Sequence, residues 1–245
     1  MLPLLLPALV VFPASCGRAP ATGAAPGAKV FTDGLGREVK IAPPARRIVS
    51  IAPSNTEILG ALGAGEQIVG RDDFSDHPPA VRALPSVGLS GGRIHREAVL
   101  SLRPDLVLAA EISPPEHVAS LEALGLTVFL VKNPRSFGDL FANLAVLGEI
   151  VGREREAAEL AGSLERRVRE VERRVAGVSG RPLVFYELDA TDPTLPWTAG
   201  AGTFIDMLIR MAGGENFGAR FPGEFPRASV ENLIKADPDV ILIAT

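Results

Sequence analysis

The chain has 245 residues but only one cysteine, one tryptophan, one tyrosine and three histidines. A lone thiol, Cys16, excludes a disulfide framework and any thiolate metal cluster. The histidines, His77, His95 and His117, stand 18 and 22 residues apart, which fits no compact metal motif. No G-x-x-x-x-G-K-[ST] loop and no H-E-x-x-H are present. GALGAG (60–65) lacks the G-x-G-x-x-G spacing and follows a helix signal, so it is not a dinucleotide loop. Basic residues are in slight deficit, 25 Lys and Arg against 29 Asp and Glu, and the two signs alternate along the chain. No nucleic-acid groove is expected from such a distribution. Apolar residues make up 47% of the chain, enough for a real core.

The longest apolar run stands at the start, MLPLLLPALVVFPASC. It falls short of the roughly 20 apolar residues that span a bilayer and suits the apolar region of a signal peptide. Small residues and then Cys16 follow, so residues 1–16 resemble a bacterial lipoprotein signal with Cys16 as the lipid acceptor. The alternative is a plain signal peptide with an incidental cysteine. GRAPATGAAPGAK (17–29) is small, proline-punctuated and without apolar period, which describes a flexible tether.

From there strand and helix signals alternate. RIVSIAP is a β-branched run halted by proline, and SNTE after it is spaced as a capping box for a short helix. QIVGR, DLVLAA and LTVFLV read as further strands of a parallel sheet covered on both faces. The pattern breaks between 136 and 178. Ala157, Leu160, Leu164, Val168, Val171 and Val175 recur at helical spacing there, predicting a helix of about 24 residues from Arg153. Alternation then resumes with RPLVFYEL. An internal repeat explains the resumption. REAVLSLRPDLVLA (96–109) aligns without a gap on VENLIKADPDVILIA (230–244), placing Glu97 over Glu231 at an offset of 134 residues. Two lobes of similar βα design are therefore expected, 30–135 and 179–245, joined by the helical region 136–178. The second lobe closes on DVILIAT without a following helix signal, which reads as an incomplete lobe.

RIVSIAPSNTEILGALGAGEQIVG, FSDHPP, REAVLSLRPDLVLA, AGGENFG and FPRASVENLIKADPDVILIA together resemble the helical-backbone solute-binding proteins of ABC importers. These proteins capture cobalamin, ferric siderophores or haem. The resemblance runs from Lys29 to the end. It implies the class III periplasmic-binding-protein fold, α/β with two parallel-sheet lobes on one long rigid helix. SNTE, FSDHPP and the aromatics beside prolines are most similar to the cobalamin-binding branch. By that resemblance Pro53, Ser54, Asn55, Phe74, Trp197 and Phe225 would contact a corrinoid, with an iron chelate as the alternative. Glu97 and Glu231 would dock a permease dimer, one acid per lobe. Each also stands near a predicted helix start, where the macrodipole stabilises a carboxylate by about 0.3–1 kcal/mol.

The implied protein is a monomeric, lipid-anchored extracytoplasmic receptor with no catalytic residue, no metal site, no resident cofactor and no nucleic-acid partner. A bilobal tetrapyrrole chelatase is the competing reading from another class. It would need a cleft base, usually histidine, and a cytoplasmic location.

Overall fold

The computed structural model describes residues 27–88, 92–111 and 113–243, so Cys16 and residues 17–26 of the expected tether lie outside the described residues. The described chain opens with a feature the sequence patterns did not announce, an antiparallel hairpin of β1 (Lys29–Thr32) and β2 (Glu38–Ile41). The buried Asp33 carboxylate organises its turn, accepting from the Leu35 and Arg37 backbone N–H groups at 2.9 and 3.0 Å and from the Arg37 guanidinium at 2.6 Å. Gly34 passes so close to the sheet that an added Cβ would lie 2.7 Å from the Lys132 backbone nitrogen.

The first lobe is a parallel sheet of β3 (Ile48–Ser50), β4 (Ile68–Arg71), β5 (Leu106–Ala110) and β6 (Val128–Val131), in the order β4-β3-β5-β6. Every residue of β3, β5 and β6 is buried, as parallel strands covered on both faces require. The two-residue period separates the faces. Ile48, Leu106, Leu108, Phe129 and Val131 enter one core with Leu59 and Leu147. Val49, Val107, Ala109, Val128 and Leu130 enter the other, with Val99, Val118 and Leu121. The covering helices are α1 (Pro53–Ala61), α2 (Arg96–Ser101), α3 (Pro115–Glu122) and α4 (Phe137–Val151). The expected Ser54/Glu57 capping box does not form. The helix starts earlier, with Ala52 as N-cap and no side-chain cap bond. Pro53 can take the first helical position because its missing N–H would have had no intrahelical acceptor there.

The long helix α5 spans Glu154–Val175, 22 residues, or about 33 Å at 1.5 Å per residue. The helical period thus located it to within two residues of its start and end. Its first turns pack on α4 so tightly that a Cβ on Gly148 would lie 2.6 Å from the Ala157 Cβ. Among its residues only Ala157 is buried, and Val171 farther along is exposed.

After it come β7 (Leu183–Glu187), α6 (Phe204–Met211), β8 (Glu215–Asn216), α7 (Val230–Ala236) and β9 (Val240–Ile243), with sheet order β8-β7-β9. This is the β4-β3-β5 arrangement again, all parallel. The repeat now has a physical meaning. Arg103 and its counterpart Asp237, 134 residues on, both adopt φ 46° just past the ends of α2 and α7. A proline follows each and prevents helix continuation. The next residue ties the unit to the neighbouring strand. Asp105 accepts from the Arg46 and Arg47 N–H groups at 2.8 and 3.0 Å, and Asp239 accepts from the Leu183 N–H at 2.7 Å.

Candidate functional site

In both lobes the chain steps from the central strand to one neighbour and then crosses to the other side, from β3 to β4 to β5 in the first and from β7 to β8 to β9 in the second. Open α/β sheets bind ligands at such switch points, beyond the carboxyl ends of the strands. A cavity of about 440 Å³ lies beyond the carboxyl ends of β5 and β6, and both lobes build it. The first contributes Glu111 after β5 and Asn133, Pro134 and Arg135 after β6. The second contributes Gly202–Ile205, at the start of α6, and Glu224 and Phe225, in the loop before α7.

Local chemistry fixes each wall. Ser136 caps α4 by accepting from the Asp139 N–H at 3.1 Å, while Asp139 takes the Arg135 N–H at 2.9 Å and the Ser136 hydroxyl at 2.9 Å. Those donors hold the Asp139 carboxyl below its ordinary pKa, the Arg135 N–H foremost. Thr203 caps α6 in the same way, accepting from the Asp206 N–H at 3.1 Å. Asp206 is buried and receives Gly202 N–H, the Asn216 amide and the Arg210 guanidinium, at 3.1, 3.1 and 3.2 Å. Glu111 accepts from the Asn133 N–H at 3.0 Å.

The lobes meet at this wall. The first residues of the two capped helices, Phe137 and Phe204, touch edge to face with ring centroids 5.6 Å apart. Arg135 pairs with Glu224 at 2.7 Å.

Of the residues expected to contact a ligand, Phe225 lines this cavity, half of its surface exposed. Trp197 rides on the same loop ladder. Segment 196–200 runs antiparallel to 224–228 through Thr198 N–H to Pro226 O at 2.9 Å, Gly200 N–H to Glu224 O at 2.7 Å and Ala228 N–H to Pro196 O at 2.9 Å. One face of its indole already carries the Arg227 guanidinium, 5.1 Å from the ring centroid. Pro53, Ser54 and Phe74 follow β3 and β4 at the same edge of the first sheet, and none of them is among the lining residues. Ser54 and Phe74 are exposed and Pro53 is half-buried. Asn55 differs. It is buried, and its amide donates to the Ala109 carbonyl at 3.0 Å, so that donor is committed to joining α1 to β5.

Glu97 and Glu231 are exposed and occupy the second position of α2 and of α7. Arg135, Glu224, Glu111, Asn133 and Phe204 were missed by sequence reasoning. All lie in loops or first helical turns, where no period marks them. No group of three or more His, Cys, Asp or Glu that could hold a metal exists among the described residues. No described helix is long and apolar enough to cross a membrane.

The family model for periplasmic binding proteins matches residues 48–245, both lobes and the helix between them. The chain belongs to this periplasmic binding protein family. Among curated family relatives, a Bacillus subtilis (strain 168) ABC transporter substrate-binding lipoprotein, YvrC, is 31% identical over 86% of this chain and 67% of its own. A cobalamin-binding protein of Halobacterium salinarum is 32% identical over 80% of this chain. The chain spans about half the length of that relative, 53%. Among solved family structures, the vitamin B12 binding protein BtuF of Vibrio cholerae superposes with TM-score 0.71 at 27% identity, covering 82% of this chain and 77% of that one. The periplasmic heme-binding protein RhuT of Roseiflexus sp. RS-1 superposes equally well, TM-score 0.71 at 32% identity over 81% and 76% of the two chains.

Proposed function

We propose that the protein is the extracytoplasmic solute receptor of an ABC importer and holds a corrinoid of the cobalamin type between its lobes. The observation that carries this reading is the two-walled cavity between the lobes, with Phe204 and Phe225 on one side and the polar Glu111–Arg135 rim beyond β5 and β6 on the other. A large flat ligand with an amide fringe suits apolar rings over its faces and loop-borne donors at its edge. The family relatives named for cobalamin and vitamin B12 support the corrinoid, and those named for haem mark the competing ligand. Pro53, Ser54, Phe74 and Trp197 form the outer contacts in this reading, Glu97 and Glu231 dock the permease, and lipid on Cys16 keeps the monomer at the membrane. The protein acts by capture and delivery, with no catalytic step.

Parallel calorimetric titrations with cyanocobalamin, haemin and a ferric hydroxamate chelate test the proposal. Trp197 is the sole tryptophan and 40% exposed, so quenching of its fluorescence reports binding from one place. Heat and quenching with cyanocobalamin are expected. A response to haemin or the chelate alone would replace the ligand and keep the receptor, and silence with all three would count against the receptor.

A further inference from the structure

Beneath the exposed Phe74 lies a carboxylate that the binding reading leaves unused. Asp72, directly after β4, has no exposed surface. Its oxygens take three neutral donors, the Phe74 N–H at 2.8 Å, the Ser75 N–H at 3.1 Å and the Ser75 hydroxyl at 2.7 Å. The chain of contacts continues inwards. Thr56 Oγ1 lies 2.8 Å from both Ser75 Oγ and Ser50 Oγ; with the Ser75 hydrogen on Asp72, Ser75 accepts from the Thr56 hydroxyl, which can accept in turn from Ser50. Ser50, Thr56 and Ser75 are all buried. The Asp72 N–H closes the circuit by donating to the Ser50 carbonyl at 3.0 Å.

Burying a carboxylate is costly unless hydrogen bonds replace its water, and an apolar residue would fill the space more cheaply. What the carboxylate supplies here is geometry. Its side chain folds the next residues into a tight turn, as Asp does when it accepts from the backbone two residues on. The turn projects Phe74, 58% exposed, outwards while its own backbone is locked. Thr56 and Ser50 belong to the first turn of α1 and the end of β3, so the same bonds clamp the Phe74 turn to the segment bearing Pro53 and Ser54.

The geometry points to Asp72 as a positioning residue for ligand capture: through Ser75, Thr56 and Ser50 it presets the Phe74 turn and the Pro53–Ser54 segment as one rigid lip of the cleft. Affinity then comes partly from ordering completed before the ligand arrives. This inference rests on the proposed corrinoid reading, and its test is arranged so that the two fail separately.

The ligand-free arm is amide hydrogen exchange on the intact chain. In the wild type the Phe74 and Ser75 amides should be protected. Asp72→Ala should remove that protection while the amides of β4 and β5 keep theirs. Ser75→Ala, which leaves the carboxylate in place, is the milder variant should Asp72→Ala fold poorly, and it should loosen the same turn. Unchanged exchange at these two amides in both variants would overturn the inference whatever the ligand.

The second arm is a double-mutant cycle with cyanocobalamin. Phe74→Ala alone should weaken binding roughly 5- to 150-fold, the loss expected for truncating an aromatic stacking platform. Asp72→Ala should weaken binding about 5-fold or more in the wild type but less than about 2-fold in the Phe74→Ala background, because coupled residues are non-additive. Equal losses in both backgrounds would make Asp72 merely structural and overturn its role in capture. A wild type that ignores cyanocobalamin would instead reject the ligand, leaving the exchange result to decide the preset turn.

Discussion

Arg135 and Glu224 stand 2.7 Å apart, a guanidinium from the loop after β6 against a carboxylate from the loop before α7. Both are about half exposed, so their attraction is screened and worth at most about 1 kcal/mol. The pair lines the cavity and links its two walls, and a ligand entering there meets both charges. Glu224→Gln should change unfolding stability by less than about 1 kcal/mol yet alter the salt dependence of cyanocobalamin affinity. Titrations at low and high salt on both proteins check this. Identical salt profiles would show that the pair has no part in binding.

Gly200 holds the Phe225 loop through its N–H, and a Cβ at that position would lie 2.1 Å from the Gly223 carbonyl oxygen. The obstacle is backbone and cannot swing aside. Gly200→Ala should therefore cost about 1–3 kcal/mol and displace Glu224 and Phe225 from the cavity wall. Gly65→Ala, where nothing lies within 4 Å, is the control and should be near neutral. Denaturant unfolding of the two variants separates the predictions.

Asp33 sets the acid sensitivity of the N-terminal hairpin. Burial pushes its carboxyl up, but the Arg37 guanidinium and the Arg37 and Leu35 N–H groups outweigh burial and leave it below its ordinary value. A group depressed in the folded state stabilises fully above its unfolded pKa, about 4, and loses that contribution as pH falls through the lower folded value. Stability measured from pH 6 downwards should show this loss, and Asp33→Asn should flatten it while lowering stability near neutrality. A parallel acid profile in the variant would assign the loss to other carboxylates.

Reversing Glu97 and Glu231 to Lys together should abolish ligand transport by the reconstituted importer and leave cyanocobalamin affinity nearly unchanged, since neither acid lines the cavity. Each single reversal should be milder and its defect salt-dependent. Normal transport by the double variant would remove both acids from the docking surface.

The architecture was legible because apolar period and punctuation are local. β5 and β6 announce themselves as unbroken apolar runs, α5 as a helical stripe, and the lobe repeat as one motif, with Pro-Asp between its helix and its strand, that recurs 134 residues on. Where local signals competed, the reading failed. Ser54 and Glu57 have capping-box spacing, but Pro53 starts α1 sooner. The β1–β2 hairpin rests on Asp33 and on the close approach of Gly34 to Lys132, a contact between segments about 100 residues apart that no window of sequence contains.

Sequence by itself determined the two α/β lobes, the helix between them, the family and the equivalence of Glu97 with Glu231, because each depends on spacing along the chain. Only the tertiary structure decided which side chains meet. It seated Phe225 in the cavity, turned Asn55 inward to the Ala109 carbonyl, placed Arg227 over Trp197, and brought Arg135 to Glu224 and Phe137 to Phe204. The physical reason is that these contacts join loops and helix starts, whose directions are set by the strands and caps beneath them and leave no periodic trace in the chain.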